Sequence, residues 1–128
     1  MTNLDIANRF FDAVLAGDTP ALDALFTKDA TFWRNFDYQD QQRDAFVPAF
    51  GMVASMVTGL RLDNVRRTGT ASGFVEQHTL CGVTASGAEL AAHGCFIAQV
   101  NDGKIARVEE YLDAAQLAPL VAPRGAQA

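Results

Sequence analysis

Basic residues are scarce: 10 Lys and Arg stand against 15 Asp and Glu in 128 residues, a net charge of −5. The only adjacent basic pair is Arg66-Arg67. A chain without a Lys/Arg cluster lacks the electrostatic footprint of a nucleic-acid or anionic-membrane binder, so neither is an expected partner. Long apolar runs are missing too, and none approaches the ~20 residues that span a bilayer. The N-terminus, Met-Thr-Asn-Leu-Asp, has neither a positive nor an apolar leader segment, so a cytoplasmic compartment is expected. Cysteine is limited to Cys81 and Cys95, too few for a disulfide framework and without metal-ligand spacing. Both lie in apolar stretches and are expected to be buried, reduced thiols. Histidine is limited to His78 and His93, whose spacing matches no motif such as H-x-x-x-H, and no phosphate-cradling glycine loop or G-x-S-x-G occurs. No metal or organic cofactor is expected.

What is present is apolar bulk: hydrophobic residues make up 49% of the chain and charged ones 20%, a globular composition at single-domain length. One domain over residues 1–118 is expected, with 119–128, rich in Pro, Gly, Ala and Gln, as a flexible tail. Leu4, Ala7, Phe11, Val14 and Leu15 recur at helical spacing, and Gly17 offers a C-cap. Asp18-Thr19-Pro20 supplies an N-cap with proline in the first turn, opening a short helix to about Phe26. Ala30 to Arg34 has strand composition. A third helix begins near Asp44, with Phe46, Ala49, Phe50, Val53, Met56 and Val57 on one stripe. From Leu60 the period changes to two. Leu60–Thr68, Phe74–Thr84, Ala88–Val100 and Lys104–Leu112 are predicted strands, and Asp102-Gly103 is the strongest hairpin signal between them. Helices followed by an antiparallel meander make an α+β fold. Strands this long must coil, so the expectation is a cone-shaped curved antiparallel sheet with three N-terminal helices enclosing a cavity.

The strand faces carry the chemistry. On the last strand Ala106, Val108, Glu110 and Leu112 share a face, and a carboxyl among apolar neighbours should be desolvated and hold its proton toward neutral pH. The opposite set, Ile105, Arg107, Glu109 and Tyr111, faces solvent or a partner. Pairing through Asp102-Gly103 sets Asn101 opposite Lys104, and an uninterrupted count outward puts Cys95 opposite Glu110 and His93 opposite Leu112, both on the inner face. Phe74, Glu76, His78 and Leu80 also share a face, so Glu76 and His78 form a candidate hydrogen-bonded pair. Each histidine is a candidate general base.

Phe10-Phe11 to Gly17-Asp18 with Phe26 and Asp29-Ala30-Thr31, then Trp33-Arg34-Asn35, then Asp102-Gly103-Lys104-Ile105 with Glu110-Tyr111-Leu112-Asp113, resemble the nuclear transport factor 2-like superfamily in its SnoaL-like and limonene-epoxide-hydrolase-like branches. The likeness runs over about residues 3 to 118. It implies the cone fold and a homodimer through the sheet; the superfamily hosts isomerases, cyclases, hydrolases and non-catalytic binders. A ketosteroid-isomerase chemistry is disfavoured, because its tyrosine and aspartate positions map to Phe10 and Arg34. Against the epoxide-hydrolase pattern, Asn35 is kept, Trp33 replaces a tyrosine, Glu110 replaces the last-strand aspartate, and Glu76-Gln77-His78 replaces an Arg-x-Asp. SnoaL-like cyclases transfer protons with a histidine and an acid.

The expected function is acid–base catalysis of isomerisation, cyclisation or hydration on an apolar small molecule. His78 is the expected base, Glu110 the acid, Glu76 the partner of His78, and Asn35 the group that orients water or a carbonyl oxygen. Trp33, Phe36, Tyr38, Phe50 and His93 are the expected pocket walls. The alternative is a ligand-binding or dimerisation module in which Glu76, His78 and Glu110 merely satisfy one another; a third reading, a subunit of a larger complex, needs an extensive apolar outer face, for which Ile105, Tyr111, Phe96 and Ala98 are the candidates.

Overall fold

A computed structural model of the chain describes residues 1–121. Helix α1 (Asn3–Ala16) starts at a capping box in which the Thr2 side chain accepts from the Asp5 N–H and Asp5 accepts from the Thr2 N–H. It stops at Gly17, whose φ of 65° is the left-handed conformation a helix C-cap needs. Asp18 caps α2 (Thr19–Leu25), and the chain passes directly into β1 (Phe26–Arg34). A two-residue strand β2 (Gln41–Gln42) precedes α3 (Arg43–Met56). Four strands follow: β3 (Val57–Gly69), β4 (Gly73–Thr84), β5 (Glu89–Asn101) and β6 (Lys104–Leu112).

The six strands form one open sheet in the order β2-β1-β6-β5-β4-β3. The expected meander is present in β3 to β6, and each of its neighbouring pairs is antiparallel. The sheet is mixed, however: β1 lies parallel to β6, because the two helices preceding β1 deliver it to the free edge of the meander in that direction. The three N-terminal helices cover one face, and Phe10, Phe26, Phe46 and Phe74 meet there fully buried. Phe10 stands edge-on to Phe11, Phe26 and Phe50 at centroid distances of 4.8 to 5.8 Å, the geometry aromatic quadrupoles prefer.

One bulge decides which residues share the inner face. Asn101 pairs with Lys104 as expected, and Val100 with Ile105, but Gln99 pairs with Arg107, so Ala106 is left without a partner. Beyond it every pairing is one residue out of the uninterrupted count: Phe96, not Cys95, faces Glu110, and Gly94, not His93, faces Leu112. The bulge also explains how Ile105 and Val108, three residues apart, are both fully buried. Ile105, Phe96 and Ala98 therefore belong to the core and not to the outer face.

After β6 the chain does not fray at once. A 3-10 turn (Ala114–Leu117) and a short helix α4 (Ala118–Val121) bring Leu117 and Leu120 against Val57, Leu90 and Ala92. Residues 119–121 of the expected tail are thus helical, and residues 122–128 lie outside the described part.

Candidate active site

Between the helices and the curved sheet lies a cavity of about 210 Å³. Its walls are mostly apolar: Phe10, Phe11 and Val14 from α1, Phe46 and Phe50 from α3, Phe96 from β5. Leu117 and Leu120 come in from the C-terminal segment. Four side chains break the apolar lining: Arg34, Gln41, His78 and Glu110.

His78 heads a buried polar chain. Its Nδ1 lies 2.7 Å from Oε2 of Glu76, which is fully buried. Glu76 is gripped by Arg67 from β3, through Nε to Oε1 and through Nη2 to Oε2 at 3.2 Å. Arg67 in turn donates from Nη1 to Asn8 Oδ1 at 2.8 Å and stacks its guanidinium over Phe11. Burial pushes the Glu76 carboxyl up, but the hydrogen bonds from His78 and Arg67 together with the Arg67 charge outweigh it and hold the group below the usual carboxylate range. Glu76 is therefore ionised at neutral pH, and with its carboxylate at Nδ1 the His78 ring turns Nε2 outward as its unbonded nitrogen. The side of the ring bearing Nε2 faces Gly94, where the missing side chain leaves space.

Glu110 is placed differently. It sits in the row Glu76–Phe96–Glu110–Arg34 that runs across β4, β5, β6 and β1. Phe96 separates it from Glu76. Among the described residues no side chain hydrogen-bonds or ion-pairs with the Glu110 carboxyl; Arg34, its register neighbour, bonds Asp37 instead, from Nε at 3.1 Å. The residue is half-buried, and the surface it keeps lines the cavity. Burial pushes it up to about 7, against the opposing charge of Arg34.

The other expected residues divide. Phe50 lines the cavity. Asn35 is not in the lining: its Oδ1 accepts the Leu112 N–H at 3.1 Å, tying the end of β1 to β6. Trp33 alternates with Phe32 and Arg34 and lies on the other face, against Tyr38 and Tyr111. Phe36 carries the Arg34 guanidinium over its ring at 4.6 Å, and Tyr38 is 74% exposed; neither reaches the cavity. His93 is on the outer face, where its Nδ1 meets Thr79 Oγ1 at 2.9 Å, a consequence of the Ala106 bulge. Arg34 and Arg67 went unrecognised as site residues. The alternation of β1 pairs Arg34 with the inward Phe32, whereas nothing local to Arg67 reveals that it faces Glu76 across two strands. Among the described residues no group of three or more His, Cys, Asp or Glu side chains could hold a metal ion.

The profile of the SnoaL-like domain matches residues 7–108. The chain belongs to the SnoaL-like family. Solved structures of the nuclear transport factor 2-like superfamily superpose on this SnoaL-like domain over nearly its whole length. A candidate polyketide cyclase from Pseudomonas putida shares 26% identity at a TM-score of 0.75, covering 91% of this chain and 95% of its own. A second candidate polyketide cyclase, from Xanthomonas campestris, shares 18% at 0.76, covering 92% and 96%. A protein of ketosteroid isomerase-like fold from Catenulispora acidiphila, in complex with trimethylamine, shares 14% at 0.72, covering 94% and 92%. No curated protein matches the chain.

Proposed function

We propose that this SnoaL-like protein is a cofactor-independent enzyme that moves protons on a small molecule with an apolar body, catalysing isomerisation, cyclisation or hydration in the cavity. One observation carries the reading: Glu110 is a carboxyl without a protein partner in an apolar wall, pushed up to about 7. Buried carboxyls that serve structure alone are paired, because an unpaired one costs several kcal/mol. A group balanced between its two protonation states at neutral pH is what general acid catalysis requires. The purely structural alternative needs Glu76, His78 and Glu110 to satisfy one another, and Glu110 stands apart from the other two. The candidate polyketide cyclase from Pseudomonas putida, a family relative, supports a carbonyl substrate.

Glu110 acts as the acid and His78 as the base, with Glu76 and Arg67 positioning the imidazole. The two working groups lie two strands apart, roughly 10 Å across the backbone at ~4.8 Å per strand, so their side chains reach a ligand from opposite ends. On a ring ketone, His78 Nε2 takes the proton from the carbon next to the carbonyl and the C–H pair becomes a C=C bond. The C=O π pair moves to oxygen, which takes the proton of Glu110. His78 then returns a proton to the same or a conjugated carbon while the enol O–H gives its proton back to Glu110 and the C=O re-forms, which completes exchange or isomerisation. We further propose that two copies pair through the outer sheet face, which exposes Val83, Ile97 and Tyr111.

The test needs no knowledge of the natural substrate. Hydrogen–deuterium exchange at the α-carbon of small cyclic ketones in D₂O, followed by NMR, reads proton abstraction directly. The expected result is exchange that the wild type accelerates and that His78→Ala and Glu110→Gln each slow by about 10²-fold or more. Exchange that neither substitution slows overturns the assignment.

A further inference from the structure

We propose that the ligand of this cavity is a single-ring compound carrying one acidic oxygen, a carboxylate, phenolate or enolate, bound as the anion in the gap between Arg34 and Glu110. The inference rests on the site proposed above but not on turnover.

Size comes first. A cavity of about 210 Å³ exceeds the ~150 Å³ that holds benzene and falls short of the ~300–1,000 Å³ of drug-sized sites. One ring with a substituent fits; a chain of fused rings does not. Walls of Phe10, Phe11, Phe50 and Phe96 suit the faces and edges of such a ring.

Charge comes second. Arg34 is the one Lys or Arg side chain in the lining, at 30% side-chain exposure. It is held in place by Asp37 through Nε and Nη2 and by the ring of Phe36. Among the described residues Nη1 bonds no side chain, and no ion pair joins Arg34 to Glu110 although their backbones are in register. A cation and a proton-bearing carboxyl on adjacent strands, not joined to each other, make a receptor for one negative oxygen: the guanidinium supplies charge and Glu110 supplies its O–H. Other ionisable groups toward the cavity are His78 from β4, with Glu76 behind it; α1 and α3 present only apolar side chains to it.

An anion beside Glu110 requires that carboxyl to be protonated, so binding takes up a proton. With Glu110 at about 7, affinity is nearly full at about pH 6 and falls about tenfold by about pH 8.

Calorimetry with benzoate, its neutral isostere benzamide, and the three-ring 9-anthracenecarboxylate tests each part. Benzoate at about pH 6 is expected to bind at least about tenfold more tightly than either competitor, with Arg34→Gln erasing its advantage over benzamide. The fall toward about pH 8 is expected to vanish in Glu110→Gln and to persist in His78→Gln. Benzamide binding as tightly as benzoate to the wild type overturns the charge assignment, and the three-ring acid binding as tightly as benzoate overturns the size assignment. Because the measurement is of binding, an absence of ketone exchange leaves it intact, and a ketone-exchanging enzyme indifferent to benzoate refutes this inference alone.

Discussion

At the scale of the residue, Glu110 and Glu76 show how two carboxyls on one sheet face acquire opposite properties. Glu76 is fully buried and stays ionised because Arg67 and His78 replace its lost water. Glu110 has no such partners, so its charged form is penalised. Raising the carboxyl from its ordinary 4.5 to about 7 corresponds to about 3 kcal/mol. The sign follows from linkage. A carboxyl whose pKa is raised by folding costs nothing below 4.5, where both states are protonated. The cost builds as pH rises and is complete above about 7. Glu110→Gln is therefore expected to stabilise the protein by up to about 3 kcal/mol in urea unfolding at alkaline pH and to leave it unchanged near pH 4. Equal effects at both pH values would contradict the assignment. A stabilising substitution that removes activity is the trade expected where a group is kept for function. Glu76 runs the other way: its contribution is present above its ordinary pKa and is lost as pH falls.

At the scale of the element, uninterrupted strands were legible and interrupted ones were not. Period-two alternation places Glu76 with His78 on β4, and the structure joins them. It fails for His93 because the Ala106 bulge adds one residue to β6, and a one-residue slip exchanges the faces of everything beyond. Trp33, Phe36 and Tyr38 are aromatic, which suggests a pocket wall, but residue type does not decide which way a strand turns. Arg67 is invisible locally, since its role comes from pairing with Glu76 nine residues away. The C-terminal segment is a second surprise. Leu117 and Leu120 line the cavity while packing on Leu90 and Ala92, so they form part of its wall near the end of the described chain. Replacing both with Ala is expected to cost about 2 kcal/mol in stability, since both are only partly buried, and to raise the dissociation rate of benzoate several-fold by stopped-flow. An unchanged dissociation rate would show that the segment does not restrict exit.

At the scale of the molecule, the net charge of −5 contrasts with a cavity lining whose one Lys or Arg side chain is Arg34. Salt at ~0.15 M screens exposed charges beyond ~8 Å, so the acidic surface acts on encounter rates, whereas the proposed selection of an anion is a short-range matter for Arg34. The sheet has one face covered by helices and one that carries exposed Val83, Ile97 and Tyr111. Pairing of two copies through that face predicts twice 13.8 kDa in light scattering. Ile97→Arg is expected to return the protein to the mass of one chain. A wild type that stays at one-chain mass at every concentration refutes the pairing.

The amino-acid sequence by itself determined the class of fold, because helix and strand periods, caps and the Asp-Gly turn are local signals in physically separate stretches. It also determined that Glu76 and His78 share a face, since two residues apart on an unbroken strand means one side of the sheet; that this side is the inner one is a tertiary fact. Tertiary structure decided what those residues meet. The Ala106 bulge removed His93 from the cavity, cross-strand pairing brought Arg67 to Glu76, and a backbone hydrogen bond tied Asn35 to β6. Arg34 and Glu110, register neighbours, form no ion pair, and the Arg34 guanidinium bonds Asp37 instead. The Asn35 contact joins segments 77 residues apart, and the others, though they span only a turn or a hairpin, depend on register and side-chain direction that period-two alternation does not carry.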